Sequence, residues 1–476
     1  MKEESLVKNF VFSTAYQILI LITPFITAPY VARVLGADGV GLYSFTSSNQ
    51  MYFSMFAALG TVSYGSREIA RNRNSIDKRS QLFWEIETLS IITSTICLIF
   101  WGIFIALSGG NKIYYSILTF VLLATMLDIS WFYTGMEQFK YTVAINSVFK
   151  LLGVASLFIF VKGPDDLAIY TLIMSLTTFL GNLSMWFFLP RFVHGISPKT
   201  IKIKRHFKET LVYFIPTIAT SIYTVLDKTL LGVITSENSQ NGYYEETTKI
   251  INIAKSLTFT SLNSVLGARL SFLFSENRID EIKQRVAFSM DYILFMGIGL
   301  CFGIIAVADR FVPVFFGNGY EPVIYLLQLM SPIIVIIGIS NCLGSQYYNP
   351  AGLRAKSAKY IIAGATVNLV LNLLLIPRLK SQGAIIASLV AELVITFLYL
   401  YNCNGYITVS AIVKRGWKKI IAAVLMLFTI AMIKSFITSD ILCVVASVAI
   451  GVLTYVCVLA LLKDSFLHEI MDHIKR

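Results

Sequence analysis

Apolar segments of about 18 to 25 residues recur along the whole chain, and each is long enough to cross the roughly 30 Å hydrocarbon core of a bilayer as a helix. Short polar joints separate them. No single motif constrains the fold as strongly. Hydrocarbon offers no partner to a backbone amide, so only helices and closed barrels span it. The period-2 alternation of barrel strands is absent from these segments. With 56% hydrophobic and 14% charged residues over 476 positions, the chain is too apolar for a soluble fold of its length. The reading is an all-α polytopic membrane protein.

Hydropathy places fourteen transmembrane helices. Six fall at 10–32, 40–63, 83–107, 114–132, 142–161 and 167–189, and six more at 210–233, 248–272, 287–308, 322–344, 359–376 and 382–401. Two further spans follow at 419–436 and 441–462, before a polar tail with the character of a short amphipathic helix. The first run extends from Phe10 to about Tyr30 with no A-x-A site after it, so it reads as a span and not a signal peptide. Of the 39 Lys and Arg residues, 27 lie in alternate joints, 8 in the others and 4 inside spans. Short loops rich in these residues stay in the cytoplasm, which places both termini on the cytoplasmic side of the plasma (inner) membrane and requires an even number of spans. The net charge of +12 thus follows from topology, and no nucleic-acid partner is expected.

The stretch at 23–43, TPFITAPYVARVLGADGVGLY, makes a corner between the first two spans. A weaker copy starts where Pro216 opens a polar-striped helix and runs to Gly242, Tyr243 and Tyr244. Residues 135–170 pair in pattern with 352–386. Because both blocks hold an even number of spans, they form two pseudo-symmetric six-helix lobes related by an axis along the membrane normal. The expected organisation is an N-terminal lobe at 1–190, a basic cytoplasmic link at 191–209, a C-terminal lobe at 210–401, and two C-terminal helices with a tail at 402–476. The longest outer loop is expected at 235–247, too short for an outer catalytic domain.

Chemical motifs are lacking. The chain has no GxxxxGK[ST] loop, no HExxH and no D-x-D; Asp165 and Asp166 belong to an outer turn. The four histidines lie in the link or the tail, and the six cysteines form no CxxC pair. Neither an enzyme, a metal site, a cofactor nor a disulfide framework is expected.

Charge inside spans is the informative remainder, since a charged side chain at a bilayer centre costs about 2.5–3.5 kcal/mol on insertion scales and faces a cavity or a partner. Lys150 shares a helix face with Asn146 and Gly153, and Lys255 shares one with Asn252 and Phe259. Both lysines are candidates to line a wet, cationic cleft. Asp227 and Lys228 follow a stripe of Thr217, Thr220, Ser221 and Thr224, and either pair internally or meet a substrate. Arg269 lies near a cytoplasmic helix end, either snorkelling or adding to the basic lining. Asp128 and Asp291, near inner ends, read as structural. Glu392 is central in its span. It either couples H⁺ or Na⁺ to transport or pairs with a lysine such as Lys150 or Lys255. Asn368 and Asn372, one turn apart, line the same cleft or hydrogen-bond neighbouring helices.

Four stretches carry a family likeness: TAPYVARVLGADGVGLYSF at 27–45, GSREIARNR at 65–73, LDISWFYTGMEQFKY at 127–141 and NLVLNLLLIPRLKSQGAIIASLVAE at 368–392. Together they resemble the Wzx-type polysaccharide repeat-unit flippases, in the superfamily that also holds multidrug extruders and lipid II flippases. The resemblance implies two six-helix lobes facing each other across a central cavity, with two added helices. It implies that a polyprenyl-diphosphate-linked oligosaccharide is moved from the cytoplasmic to the outer face for capsule- or O-antigen-type polysaccharide. Membrane lipids, and in the same pathway a polysaccharide polymerase and glycosyltransferases, are the implied partners. Lys150 and Lys255 would offset the diphosphate charge, while Asn, Thr and Ser stripes suit a hydroxyl-rich sugar. The lobes would rock in alternating access, with Pro24 and Pro216 as hinges. Arg33 matches the family's corner arginine. Competing readings are a cation-coupled small-molecule extruder, a lipid II flippase and a scaffold for glycan enzymes. Against the lipid II reading, Leu21 and Thr27 stand where lipid II flippases carry arginines in the first helix.

Overall fold

The computed structural model describes residues 6–260, 262, 270, 272–274, 276 and 278–474. The elements in them are all helical. Nine helical stretches among the described residues are long and apolar enough to cross a membrane, as in a multi-pass membrane protein. Two compact units divide the chain, Met1–Thr229 and Leu230–Arg476. Large apolar side chains such as Leu107, Phe160, Phe436 and Leu461 are fully presented at helix surfaces. In a bilayer that surface meets lipid, so it carries no penalty.

The first unit begins with α1 (Leu6–Ala58), which is two helices joined across Gly36 at φ 68, ψ 174. No neighbour lies within 4 Å of a Cβ built there, so the backbone angle alone calls for glycine. The corner expected at 23–43 is therefore present, at Gly36, between the spans expected at 10–32 and 40–63. Pro24 and Pro29 lie in the first arm, where the backbone stays helical. The Thr23 hydroxyl donates to Leu19 O at 2.6 Å and that of Thr27 to Thr23 O at 3.0 Å. The bend of α1 is thus at Gly36.

Leu59 and Gly60, both at positive φ, turn the chain into the short amphipathic α2 (Thr61–Asn72). Ser75 caps α3 (Ile76–Leu107) by accepting from Lys78 N. After α4 (Lys112–Met126), Asp128 Oδ1 accepts from Ser130 N at 2.9 Å, an Asx turn that breaks the helix and starts α5 (Ser130–Gly135). The span expected at 114–132 falls within the apolar stretch Lys112–Gly135, long enough to cross a membrane, with this turn inside it. Next come α6 (Phe139–Phe160), α7 (Leu167–Met185) and α8 (Lys204–Thr235). Since α8 starts at Lys204, Pro216 lies inside it and does not open it, which corrects the expectation; the Pro216 side chain is outside the described residues. The core at this end is aromatic, with Phe83, Trp131, Phe132, Tyr133 and Phe192 all buried. Phe83 stacks on Trp131 at 5.6 Å between ring centroids.

The second unit holds α9 (Asn238–Lys255), α10 (Ile279–Phe316), α11 (Glu321–Met330), α12 (Ile333–Leu343), α13 (Arg354–Tyr401), α14 (Val409–Phe436), α15 (Asp440–Leu461) and α16 (Ser465–Ile474). A tight turn at Ser236 (φ 54) leads straight into α9, so most of the loop expected at 235–247 is helix. Like α1, α13 is two helices across a break, here at Lys380 (φ 50, ψ −128). A non-glycine residue at this angle is strained. Lys380 Nζ bonds both carboxylate oxygens of Glu237 at 2.8 and 2.9 Å, and Ser381 Oγ donates to Gln240 Oε1 at 2.9 Å, which holds the bend. The break falls between the spans expected at 359–376 and 382–401.

Candidate functional site

The bend of α13 folds its two arms together and brings their polar residues into one cluster. Asn372 Nδ2 donates to Asn368 Oδ1 at 3.0 Å, and Asn368 Nδ2 donates to Ser388 Oγ at 3.3 Å. Both asparagines are fully buried. One helical turn beyond Ser388 lies Glu392, also buried. Its carboxylate acts electrostatically on Lys255 at the end of α9.

Lys255 is half-buried, and directly after it the backbone widens into a π turn at Ser256–Thr260. Such turns re-aim side chains at the cost of regular hydrogen bonding and are common at functional positions. The expected stripe on this helix divides three ways. Lys255 is half-buried, Phe259 enters the apolar core, and Asn252 is exposed. Arg269 lies outside the described residues.

In the first unit, Lys150 is half-buried on α6 and makes no hydrogen bond or ion pair among the described residues. Its stripe faces α7. A Cβ on Gly181 would meet Asn146 Oδ1 at 3.7 Å, and one on Gly153 would meet Thr177 Cγ2 at 3.2 Å. Small residues allow this close helix approach, as in membrane bundles generally. Asp227 on α8 is buried and Lys228 half-buried. The Asp227 charge reaches Tyr52 on the second arm of α1.

The joints rich in Lys and Arg contain two buried ion networks. In the first unit, Glu85 on α3 pairs with Arg205 and lies 2.7 Å from His206 Nε2. It also accepts from the Lys202 amide at 3.0 Å and from Gln81 Nε2 at 3.1 Å. The Tyr64 hydroxyl and His206 Nδ1 share a hydrogen bond of 2.7 Å, and burial pushes the Tyr64 phenol up to about 12. These contacts anchor the basic joint 191–208 to α2 and α3. Nearby, the exposed His194 pairs with Asp77 at 2.8 Å, and that hydrogen bond raises the imidazole pKa.

In the second unit, Asp291 pairs with Arg415 and Lys419. Lys419 Nζ also bonds Asp464 Oδ2 at 3.0 Å and Arg415 O at 2.9 Å. Asp464 in turn accepts from the Phe466 and Leu467 amides, capping α16. Asp291 is structural, as expected.

Sequence reasoning passed over Glu85 and Glu87, two carboxylates at the start of the span expected at 83–107. Their type and depth were a usable signal, because acidic residues inside spans are costly. Glu85 is fully engaged. Glu87 is fully buried, and neither of its oxygens has a hydrogen-bond partner among the described residues.

The family described as "Polysaccharide biosynthesis protein" matches residues 6–267 of the chain. The putative O-antigen transporter of Escherichia coli (strain K12) is 26% identical over 404 residues, covering 83% of this chain and 96% of the relative. The probable low-salt glycan biosynthesis flippase Agl15 of Haloferax volcanii is 22% identical over 412 residues, covering 81% of each. Among solved structures, the lipid II flippase MurJ in an inward closed conformation aligns with a TM-score of 0.76 at 14% identity, over 95% of this chain and 98% of that one. An inward-facing multidrug resistance MATE family transporter aligns at 0.58 and 12% identity, over 83% and 99%. These likenesses establish a shared helical fold.

Proposed function

The chain belongs to the polysaccharide biosynthesis protein family, and from that premise we propose that it is a flippase for polyprenyl-diphosphate-linked oligosaccharides. It carries repeat units from the cytoplasmic to the outer face of the plasma membrane for surface polysaccharide. It does so with fourteen membrane passes and both termini in the cytoplasm. The α1 and α13 bends support that count, since each long helix contributes two passes. The names carried by the relatives, an O-antigen transporter and a glycan flippase, support the substrate class. No catalytic chemistry is assigned.

The observation that carries this reading is the buried, hydrogen-bonded set of Asn368, Asn372 and Ser388, with buried Glu392 one turn on, inside an apolar bundle. Without substrate, Glu392 would balance Lys255, lowering the cost of holding an ammonium group in the membrane. A diphosphate is a stronger, multidentate acceptor and would take over the lysine. The neighbouring amide and hydroxyl groups suit sugar hydroxyls. Lys150 would serve the same purpose in the first unit, with Asn146 beside it. Asn252, Lys228 and Arg269 would add polar and basic lining along the route. Release of Glu392 on substrate binding makes it a coupling residue for H⁺ or Na⁺, with Asp227 the second candidate. Alternating access would use Pro24 and Pro216 as hinges. The polyprenyl tail stays in lipid throughout.

The test is a vesicle assay in which an enzyme added outside trims only the labelled glycan that has crossed. Lys255→Ala should slow crossing by about tenfold or more, the scale of one lost charge-assisted contact of about 1.4 kcal/mol or more. Lys255→Arg should retain part of it. Unimpaired crossing with both Lys150→Ala and Lys255→Ala would overturn the cationic assignment. A small-molecule extruder would instead move organic cations, and would need Glu392 accessible to them and not balanced by lysine.

A further inference from the structure

Four cations lie in the first turns of α14, and they divide by helix face. Arg415 and Lys419 meet Asp291 and Asp464 and form a balanced set with them. Lys414 and Lys418, one turn apart on the exposed side, meet no acidic side chain among the described residues. Lys463, exposed just past the end of α15, meets none either. The two helix ends are joined at this point, where Lys418 Nζ donates to Lys463 O at 2.9 Å. Farther along, a Cβ on Gly451 of α15 would stand 2.9 Å from Ile430 Cδ1 of α14, so the pair is tightly packed. With Asp291 and Asp464 engaged by Arg415 and Lys419, the positive charges of Lys414, Lys418 and Lys463 remain unanswered at this end of the pair.

The apolar neighbours of these lysines identify the medium they face. Val413, Trp417 and Ile420 follow one another at helical spacing on α14 and are all exposed, as is Leu461 at the end of α15. Both helices are long and apolar enough to cross a membrane, and the lysines lie at the ends of those stretches. Lys418 Nζ stands 5.8 Å from the Trp417 ring centroid. A tryptophan beside lysines at a span end is the arrangement of the headgroup layer, where the indole sits at the boundary and the ammonium groups reach the phosphates. A soluble acidic partner would answer the lysines but leave the apolar stripe uncovered. A lipid answers both.

We propose that Lys414, Lys418 and Lys463 bind the phosphate headgroup of an anionic phospholipid whose acyl chains lie along Val413, Trp417 and Ile420. A phosphodiester carries one negative charge and presents its oxygens to the ammonium donors. Each lysine near an anionic headgroup adds several-fold to the affinity. A zwitterionic headgroup carries its own cation beside the phosphate, which the lysines repel. Seating an anionic headgroup also relieves the repulsion among the lysines, so the lipid fastens the ends of α14 and α15 together. With them it fastens the turn into α16, where Lys463 holds a φ of 50. The site does not rest on the flippase reading.

The experiment is native mass spectrometry of the purified full-length protein in detergent, titrated with phosphatidylglycerol or with phosphatidylcholine. Phosphatidylglycerol should bind the wild-type protein more tightly, and its affinity should fall as ionic strength rises. Lys414→Gln combined with Lys463→Gln, which keeps the Lys418 contact, should weaken the tightest phosphatidylglycerol binding about tenfold or more and leave phosphatidylcholine binding unchanged. Lys414→Arg combined with Lys463→Arg should retain it. Phosphatidylglycerol should also raise the thermal midpoint of the wild-type protein and not that of the glutamine variant. If the glutamine variant does not fold, Lys418→Ala alone repeats the comparison. Equal affinity for the two lipids would overturn the proposal, as would phosphatidylglycerol binding that survives the glutamine substitutions. An equal loss from Lys199→Gln combined with Lys204→Gln, in another basic joint, would overturn it by showing attraction to net charge alone. Displacement of phosphatidylglycerol by excess inorganic phosphate or by equimolar polyprenyl phosphate would overturn it in favour of free phosphate or a carrier lipid.

Discussion

Lys419 and Glu87 are both fully buried charged residues in apolar helices, yet their surroundings differ completely. Lys419 is met by two carboxylates and a carbonyl, with Arg415 completing a balanced set of two positive and two negative groups. Neither carboxylate oxygen of Glu87 has a hydrogen-bond partner among the described residues. Balance of the Lys419 kind fastens structure, because removing any member strands the others. A buried carboxyl without partners fastens nothing, so its removal strands no other group.

The contrast predicts opposite responses to substitution. The largest effect is expected from Lys419→Met, which leaves Asp291 and Asp464 without their shared ammonium at a cost of about 3–5 kcal/mol. The thermal midpoint of the detergent-purified protein should fall markedly. An unchanged midpoint would break the comparison at its firm end. Glu85→Ala removes the acceptor of Arg205, His206 and the Lys202 amide, and should cost about 2–4 kcal/mol. It should also release the 191–208 joint, read as faster tryptic cleavage there.

A purely conformational cost serves as the reference. Gly36→Ala meets no neighbour but must adopt a positive φ, at about 1–2 kcal/mol. The charge effect at Glu87 should be smaller and of the other sign. Glu87→Gln removes an unanswered carboxyl and should leave stability unchanged or raise it by up to about 1 kcal/mol. A loss as large as that for Lys419→Met would show that Glu87 is an answered charge after all.

The exposed Asp77–His194 pair should matter least. Its hydrogen bond raises the His194 pKa, so the pair's contribution is present below the unfolded imidazole value of about 6.5 and is lost as pH rises through the folded value. Asp77→Asn should lower the His194 titration midpoint, followed by histidine NMR, with little change in unfolding temperature.

Much of the architecture was legible because hydropathy and turn chemistry are local. A bilayer imposes a minimum length on every span, and glycine at Gly36 marks a backbone angle that other residues resist. Local rules failed where helices are interrupted or extended by side-chain bonds. Asp128 places an Asx turn inside the stretch Lys112–Gly135, and α8 runs back past Pro216 to Lys204. Proline lacks one donor but does not forbid a membrane helix when the neighbouring groups are satisfied.

The candidate site was legible by type and not by partnership. Sequence alone determined that this is a multi-pass helical membrane protein of a polysaccharide family, and that Lys150, Lys255 and Glu392 are costly residues requiring an explanation. It left Glu392 open between an ion-coupling role and a lysine pair. Tertiary structure decided that Asn368 bonds Ser388 across the α13 bend, that Asn252 is exposed, and that Glu85 is answered by residues more than a hundred positions away while Glu87, two residues along the same helix, has no hydrogen-bond partner among the described residues. The physical reason is that burial cost can be read from residue type and depth, whereas compensation depends on which distant side chain packing brings within a few ångströms.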